Sequence, residues 1–194
     1  MQAERIIIGI DPGTTVMGYG VIRAQGSRVQ LVEAGAERLA ALADHTTRLH
    51  AIFHCVAGLI TRHGAHELAI EAQFFGKNVQ SMLKLGRAQG VAIAAALQAG
   101  LSVVEYAPMR VKQSVTGHGA ASKEQVAAML LHILGVSELP ASADATDALA
   151  VAVCHHFAAG APGIVGKRSG GALRKGSSDW GSFVRNNPGR IKGD

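Results

Sequence analysis

The sequence predicts an α/β domain on a five-stranded mixed sheet, its first three strands antiparallel, with helices on both faces. Three observations predict it. Residues 5–10, Arg-Ile-Ile-Ile-Gly-Ile, form the continuous β-branched run expected of a strand buried on both faces. Two more β-patterned segments follow before residue 39, and beyond residue 44 helical-period segments alternate with short apolar strands. Three strands in meander, then helix, strand, helix, strand and helices, is an order that covers a mixed sheet on both sides.

Each element has a local reason. Pro12-Gly13 ends the first strand, and Gly26-Ser27 turns residues 17–24 back onto 28–38 as the second and third. Asp44 is a suitable N-cap for a helix carrying Leu49, Ile52, Phe53, Val56 and Ile60, which ends near Gly64. Residues 66–72 form a fourth strand, 79–99 a long Ala/Leu-rich helix and 101–107 a fifth strand. Pro108 opens a helix at a favoured first position, Ser122 caps the next, and a last helix covers roughly 142–158. Right-handed crossovers place the fourth strand beside the first, which makes Glu71 a neighbour of Asp11.

The chain has 194 residues, 48% of them hydrophobic, which suits one well-buried domain. Up to Phe157 there are 12 Lys+Arg against 12 Asp+Glu; beyond it there are 7 against 2, so the whole excess of +5 sits in the tail. The expected organisation is a domain over residues 1–159 and a basic, Gly/Ser-rich, flexible tail over 160–194. No apolar run approaches the roughly 20 residues that span a bilayer, and the N-terminus lacks a signal-peptide layout. A soluble, cytoplasmic protein without membrane association is expected. Cys55 and Cys154 lie in separate apolar helical patterns with no Cys-x-x-Cys spacing, which predicts buried, reduced thiols and indicates neither a zinc site nor a disulfide framework.

Asp11 alone fits a strand-to-turn aspartate as well as a reactive carboxylate, because Asp-Pro-Gly is a strong turn signal. Glu71, directly after Leu-Ala-Ile, is harder to place on an ordinary surface. Asp144 and Asp147 are three apart and so share one face of the last helix near its start, where the dipole favours acids but like charges repel. Four carboxylates gathered near strand ends call for cations. Oxygen-only ligands suit Mg²⁺ or Mn²⁺, and two such ions suit phosphodiester hydrolysis.

Five collinear stretches, "GIDPGTTVMGYGVI", "AIEAQFFGKN", "LKLGRAQGVAIAAA", "VKQSVTGHGAASKEQV" and "ADATDALAVAV", resemble the RuvC family of bacterial Holliday junction resolvases, within the RNase H-like nuclease superfamily. The resemblance covers residues 5–159. It implies that Asp11, Glu71, Asp144 and Asp147 are catalytic metal-binding carboxylates for two Mg²⁺ ions, with Asp11 bridging them and Mn²⁺ as a substitute. It further implies that Phe74 stacks on an unpaired base, with Phe75 as its rival for that role, and that Lys112 and Lys123 lie near the scissile phosphate. Lys77 and Arg87 would add contacts to the DNA backbone. The implied partners are four-way junction DNA, a second copy in a homodimer formed partly through the long helix, and the branch-migration helicase complex of the RuvA and RuvB proteins. The implied activity is two opposed nicks in recombination and repair.

Other readings stay open on the residues. Another RNase H-like nuclease, of the pre-ribosomal RNA processing type, would leave the aromatic loop and long helix unexplained. Gly-Ile-Asp-x-Gly-Thr-Thr also resembles the first phosphate loop of actin-like and sugar-kinase ATPases, but no second phosphate loop follows. His50 and His54 lack the Glu of a zinc-protease motif. His118, between two glycines, fits a loop surface or a phosphate contact, and His155 and His156 are expected at a helix C-terminus, where a cation is favoured.

Overall fold

The computed structural model describes residues 3–73 and 78–160. The chain runs β1 (Arg5–Asp11), β2 (Val16–Gln25), β3 (Arg28–Arg38), α1 (His45–His63), β4 (Glu67–Glu71), α2 (Val79–Gln98), β5 (Ser102–Tyr106), α3 (Pro108–Thr116), α4 (Lys123–Leu134) and α5 (Ala143–Gly160). The five strands form one sheet in the order β3-β2-β1-β4-β5. β1 pairs antiparallel with β2 and parallel with β4, and β5 is parallel to β4. The predicted fold class and the placement of the fourth strand beside the first both hold.

Local chemistry sets the helix ends. Asp44 accepts from the Thr47 N–H at 2.8 Å, and Gly64 closes α1 in the left-handed region at φ 59°. Ser122 and Gln125 form a reciprocal capping box at the start of α4. Phe74, Phe75, Lys77 and the expected flexible tail beyond Gly160 lie outside the described residues, and Gly160 itself belongs to α5.

Strand alternation sorts β1 between two cores. Ile6, Ile8 and Ile10 pack with Ile52, Val56, Leu59 and the buried alanines of α2, whereas Ile7 packs with α3, α4 and α5. In β4, Leu68 and Ile70 join the first core and Ala69 the second. Gly9 and Asp11 therefore lie on the α5 side of β1, and Glu71 on the same side of β4.

Two expectations are corrected. α5 continues to Gly160, so His155 and His156 are not terminal cations but buried residues, 6% and 5% exposed. Burial lowers the pKa of both rings. His155 Nε2 lies 2.7 Å from Glu67 Oε2 and its Nδ1 2.8 Å from the Tyr106 hydroxyl, a pattern met by a neutral imidazole that donates to the carboxylate and accepts from the phenol. Arg5 donates to the same Glu67 at 3.0 Å, so this chain of contacts ties α5 to β1, β4 and β5. Cys154 is buried as expected, but Cys55 is only half-buried; both thiols are free, and burial pushes Cys55 up to about 11.

Candidate active site

Asp11 and Glu71 stand at the carboxyl ends of adjacent parallel strands, one residue beyond the paired Ile10 and Ile70. In open α/β sheets this edge is where ligands bind. Both carboxylates face the layer that contains α5, whose first turns carry Asp144 and Asp147.

Glycines set how close that helix comes. Across β1 and β2, Gly9 pairs with Gly20 and Asp11 with Gly18. A Cβ on Gly18 would overlap the carbonyl of Asp144, one on Gly9 the carbonyl of Ala148, and one on Gly20 the Leu149 side chain. α5 therefore rests on a patch of bare backbone, and Gly18 in particular lets Asp144 lie beside Asp11. This seat is absent from the sequence-based expectations, although its signal is there: Gly18 and Gly20 share one face of β2, and Gly9 lies opposite on β1.

The acids share one electrostatic field. Asp11 is raised from the usual 3.8 to about 7, first by burial and then by the charges of Glu71, Asp147 and Asp144. Glu71 is raised by burial and by Asp147, and Lys123 and Lys112 oppose that rise. The Ser142 hydroxyl donates to Asp144 Oδ2 at 3.2 Å, and the Lys123 ammonium donates to Asp147 Oδ2 at 2.6 Å. Glu71, Lys112, Lys123 and Asp147 line a cleft of about 250 Å³ whose remaining wall is apolar, from Val111, Val126 and Ala150.

The structure thus brings together Asp11, Glu71, Asp144, Asp147, Lys112 and Lys123. Arg87 is exposed on α2, and His118 is exposed in the loop after α3, where its N–H donates to Thr116 Oγ1 at 3.1 Å. His50 and His54 pair with each other, Nε2 to Nε2, at 3.0 Å.

The donor chemistry fits a hard divalent ion: four carboxylates, all oxygen, with Asp11 held back from ionising first by burial and then by the other three. Among the described residues, no three Asp, Glu, His or Cys side chains are drawn in tightly enough to hold an ion as they stand.

A mixed sheet of this order, with acids at the ends of β1 and β4 and at the start of a helix packed over them, defines an RNase H-like nuclease. The profile of the family "Crossover junction endodeoxyribonuclease RuvC" matches residues 7–155. The chain is 52% identical to the protein of that name from Cytophaga hutchinsonii, over 97% of this chain and 89% of the relative. It is similar to the Thermus thermophilus RuvC structure, with a TM-score of 0.73 and 36% identity over 79% of this chain and 95% of that one. T. thermophilus RuvC in complex with a Holliday junction substrate gives 0.72 and 34%, over 80% and 94%. The chain belongs to the RuvC family of crossover junction endodeoxyribonucleases. That membership sets aside the ribosomal RNA processing and ATPase readings.

Proposed function

We propose that Asp11, Glu71, Asp144 and Asp147 are the reaction centre of this resolvase and hold two Mg²⁺ ions, for which Mn²⁺ substitutes. By its family the chain is a phosphodiester hydrolase that resolves Holliday junctions in recombination and repair, and the family is one of metal-dependent nucleases. The observation that carries the site assignment is the gathering of Asp11 and Glu71, at the ends of two adjacent strands, under the first turns of α5 with Asp144 and Asp147; burial and that crowding raise Asp11, a repulsion that divalent cations relieve. When bound, the ion pair stabilises the attacking and leaving oxygens of an in-line displacement at phosphorus.

The chain's own groups supply the rest. Asp11, the most deeply set of the four and paired across the sheet with Gly18, would be shared by the two ions, and Glu71, Asp144 and Asp147 would supply the remaining carboxylate ligands. Lys112 and Lys123 present positive charge to a phosphate in the cleft, and Arg87 and Lys77 contact the backbone of the arms. Phe74 stacks on an unpaired base at the junction centre. Water adds to the scissile phosphorus as the bond to the 3′ oxygen breaks, leaving 5′-phosphate and 3′-hydroxyl ends.

Two opposed nicks need two copies. On α2, Val79, Leu83 and Leu97 are 66%, 53% and 59% exposed. Gly86 and Gly90 lie on the same stripe with open space above them, and the buried Ala88, Ala92 and Ala95 lie on the opposite face. This stripe supports a homodimer in which two α2 helices meet. Family membership supports action in the cytoplasm with the RuvA and RuvB branch-migration proteins. Among the described residues no helix is long and apolar enough to cross a membrane. Residues 1–159 form the nuclease domain and 160–194 a basic tail, whose removal is expected to weaken the salt dependence of junction binding.

The test is cleavage of a synthetic four-way junction. The protein should nick opposed strands in Mg²⁺ and spare linear duplex, and Asp11→Asn should bind the junction but leave it uncut. Equal cutting by variant and wild type would sink the site assignment.

A further inference from the structure

We infer that the Lys123 ammonium is a built-in competitor for the metal ligands, holding Asp147 in the DNA-free protein and releasing it when a DNA phosphate takes the lysine in exchange. This rests on the assignment of the four acids as metal ligands. The lysine would then make metal loading and junction binding reinforce each other, so that the centre is completed on substrate.

The first observation is the contact itself. Lys123 Nζ lies 2.6 Å from Asp147 Oδ2, the geometry of a short charge-assisted hydrogen bond. The ammonium competes with an ion for that carboxylate's charge and repels a dication brought to it.

The second is the contrast between the lysine's anchor and its head. Lys123 is the first residue of α4, and its backbone is held by the capping box of Ser122 and Gln125. Its side chain is 65% exposed while that of Asp147 is 24% exposed, so the lysine reaches from solvent toward a more enclosed acid. Such a pair is weak enough to be exchanged, because exposed ion pairs gain little over water.

The third is the alternative partner. The same cleft is lined by Lys112 and leaves about 250 Å³ beside the pair. A phosphodiester entering there offers Lys123 an anion with two unshared oxygens, and moving the ammonium onto it frees Asp147. The charge of Lys123 also acts on Asp11 and Glu71, so its departure alters the field at the other ligands as well. A group that opposes the metal and favours the phosphate couples the two by linkage, and the coupling is equal in both directions.

The experiment is a Mn²⁺ titration of the DNA-free full chain, with free ion read by electron paramagnetic resonance, for wild type, Lys123→Met, Lys123→Arg and Asp11→Asn. Lys123→Met should bind Mn²⁺ about threefold to tenfold tighter, the scale of losing one exposed pair and one like charge. Lys123→Arg should stay near wild type. Adding a four-way junction with phosphorothioate linkages at the cut sites should tighten Mn²⁺ binding in wild type and do so less in Lys123→Met. Unchanged or weaker affinity in Lys123→Met, or equal tightening by the junction in both, overturns the inference while leaving the metal site intact. Wild-type affinity in Asp11→Asn would remove the metal-ligand assignment itself, and the inference with it.

Discussion

Replacing Asp11 by asparagine should stabilise the metal-free protein at neutral and alkaline pH while abolishing cleavage. The carboxyl titrates near 3.8 in an unfolded chain and near 7 when folded. Between those values the folded state binds more protons than the unfolded state, so stability is greatest below the lower value and falls as pH rises through the upper one. The rise from 3.8 to about 7 gives a penalty of about 4 kcal/mol if Asp11 bears all of it, and about 2 kcal/mol if the neighbouring acids share the proton. Asparagine keeps the shape and carries no charge. For a chain of this size about 2 kcal/mol corresponds to a melting temperature roughly 4–8 °C higher. Melting curves in EDTA at pH 5, 6, 7 and 8 should show wild type losing stability relative to the variant at each step, with the two converging toward pH 4. Added Mg²⁺ should then stabilise wild type and leave the variant nearly unmoved. Parallel pH profiles, or a variant less stable than wild type at pH 8, would refute the claim that Asp11 lies in a buried field of like charge.

Two further outcomes follow from the packing. Gly18→Ala puts a methyl group into the Asp144 backbone, which should destabilise the protein by about 1–3 kcal/mol and slow junction cleavage at least tenfold by moving Asp144. Gly58→Ala on α1, where an added Cβ meets nothing within 4 Å, should leave both quantities near wild type or slightly improve stability. Urea midpoints and single-turnover cleavage rates distinguish these outcomes, and a Gly18 variant as active and stable as the Gly58 variant contradicts the seating of α5. If the proposed homodimer forms through α2, Leu83→Glu, which places a charge in the exposed stripe, should shift sedimentation from dimer to monomer. An unaltered dimer would move the interface to another surface.

How far the site is legible in the sequence depends on the range of the interaction involved. Asp44, Gly64 and the Ser122–Gln125 box act within four residues, and their positions follow from cap chemistry alone. The meeting of Asp11 and Glu71 spans 60 residues, yet one handedness rule is enough to bring β4 beside β1. Side-chain parity then puts Gly9, Asp11 and Glu71 on one face, because alternate residues of a strand share a side whatever packs against it. His155 and His156 escape such rules: local composition marks them as a helix end, whereas the backbone of Ala158 and Ala159 carries α5 past them. Their partners, Glu67, Tyr106 and Arg5, come from three different strands and have no local signature. The Lys123–Asp147 contact joins the first turns of two helices whose relative placement only the packed core determines. The opening motif shows the same limit: Gly-Ile-Asp-Pro-Gly-Thr-Thr fits a phosphate loop and a nuclease strand end equally well, because both need bare backbone there. In this chain Gly9, Gly18 and Gly20 receive a helix rather than a nucleotide. What separates the two functions is therefore the partner resting on the glycines, and α5 brings with it the two aspartates that complete the acidic cluster.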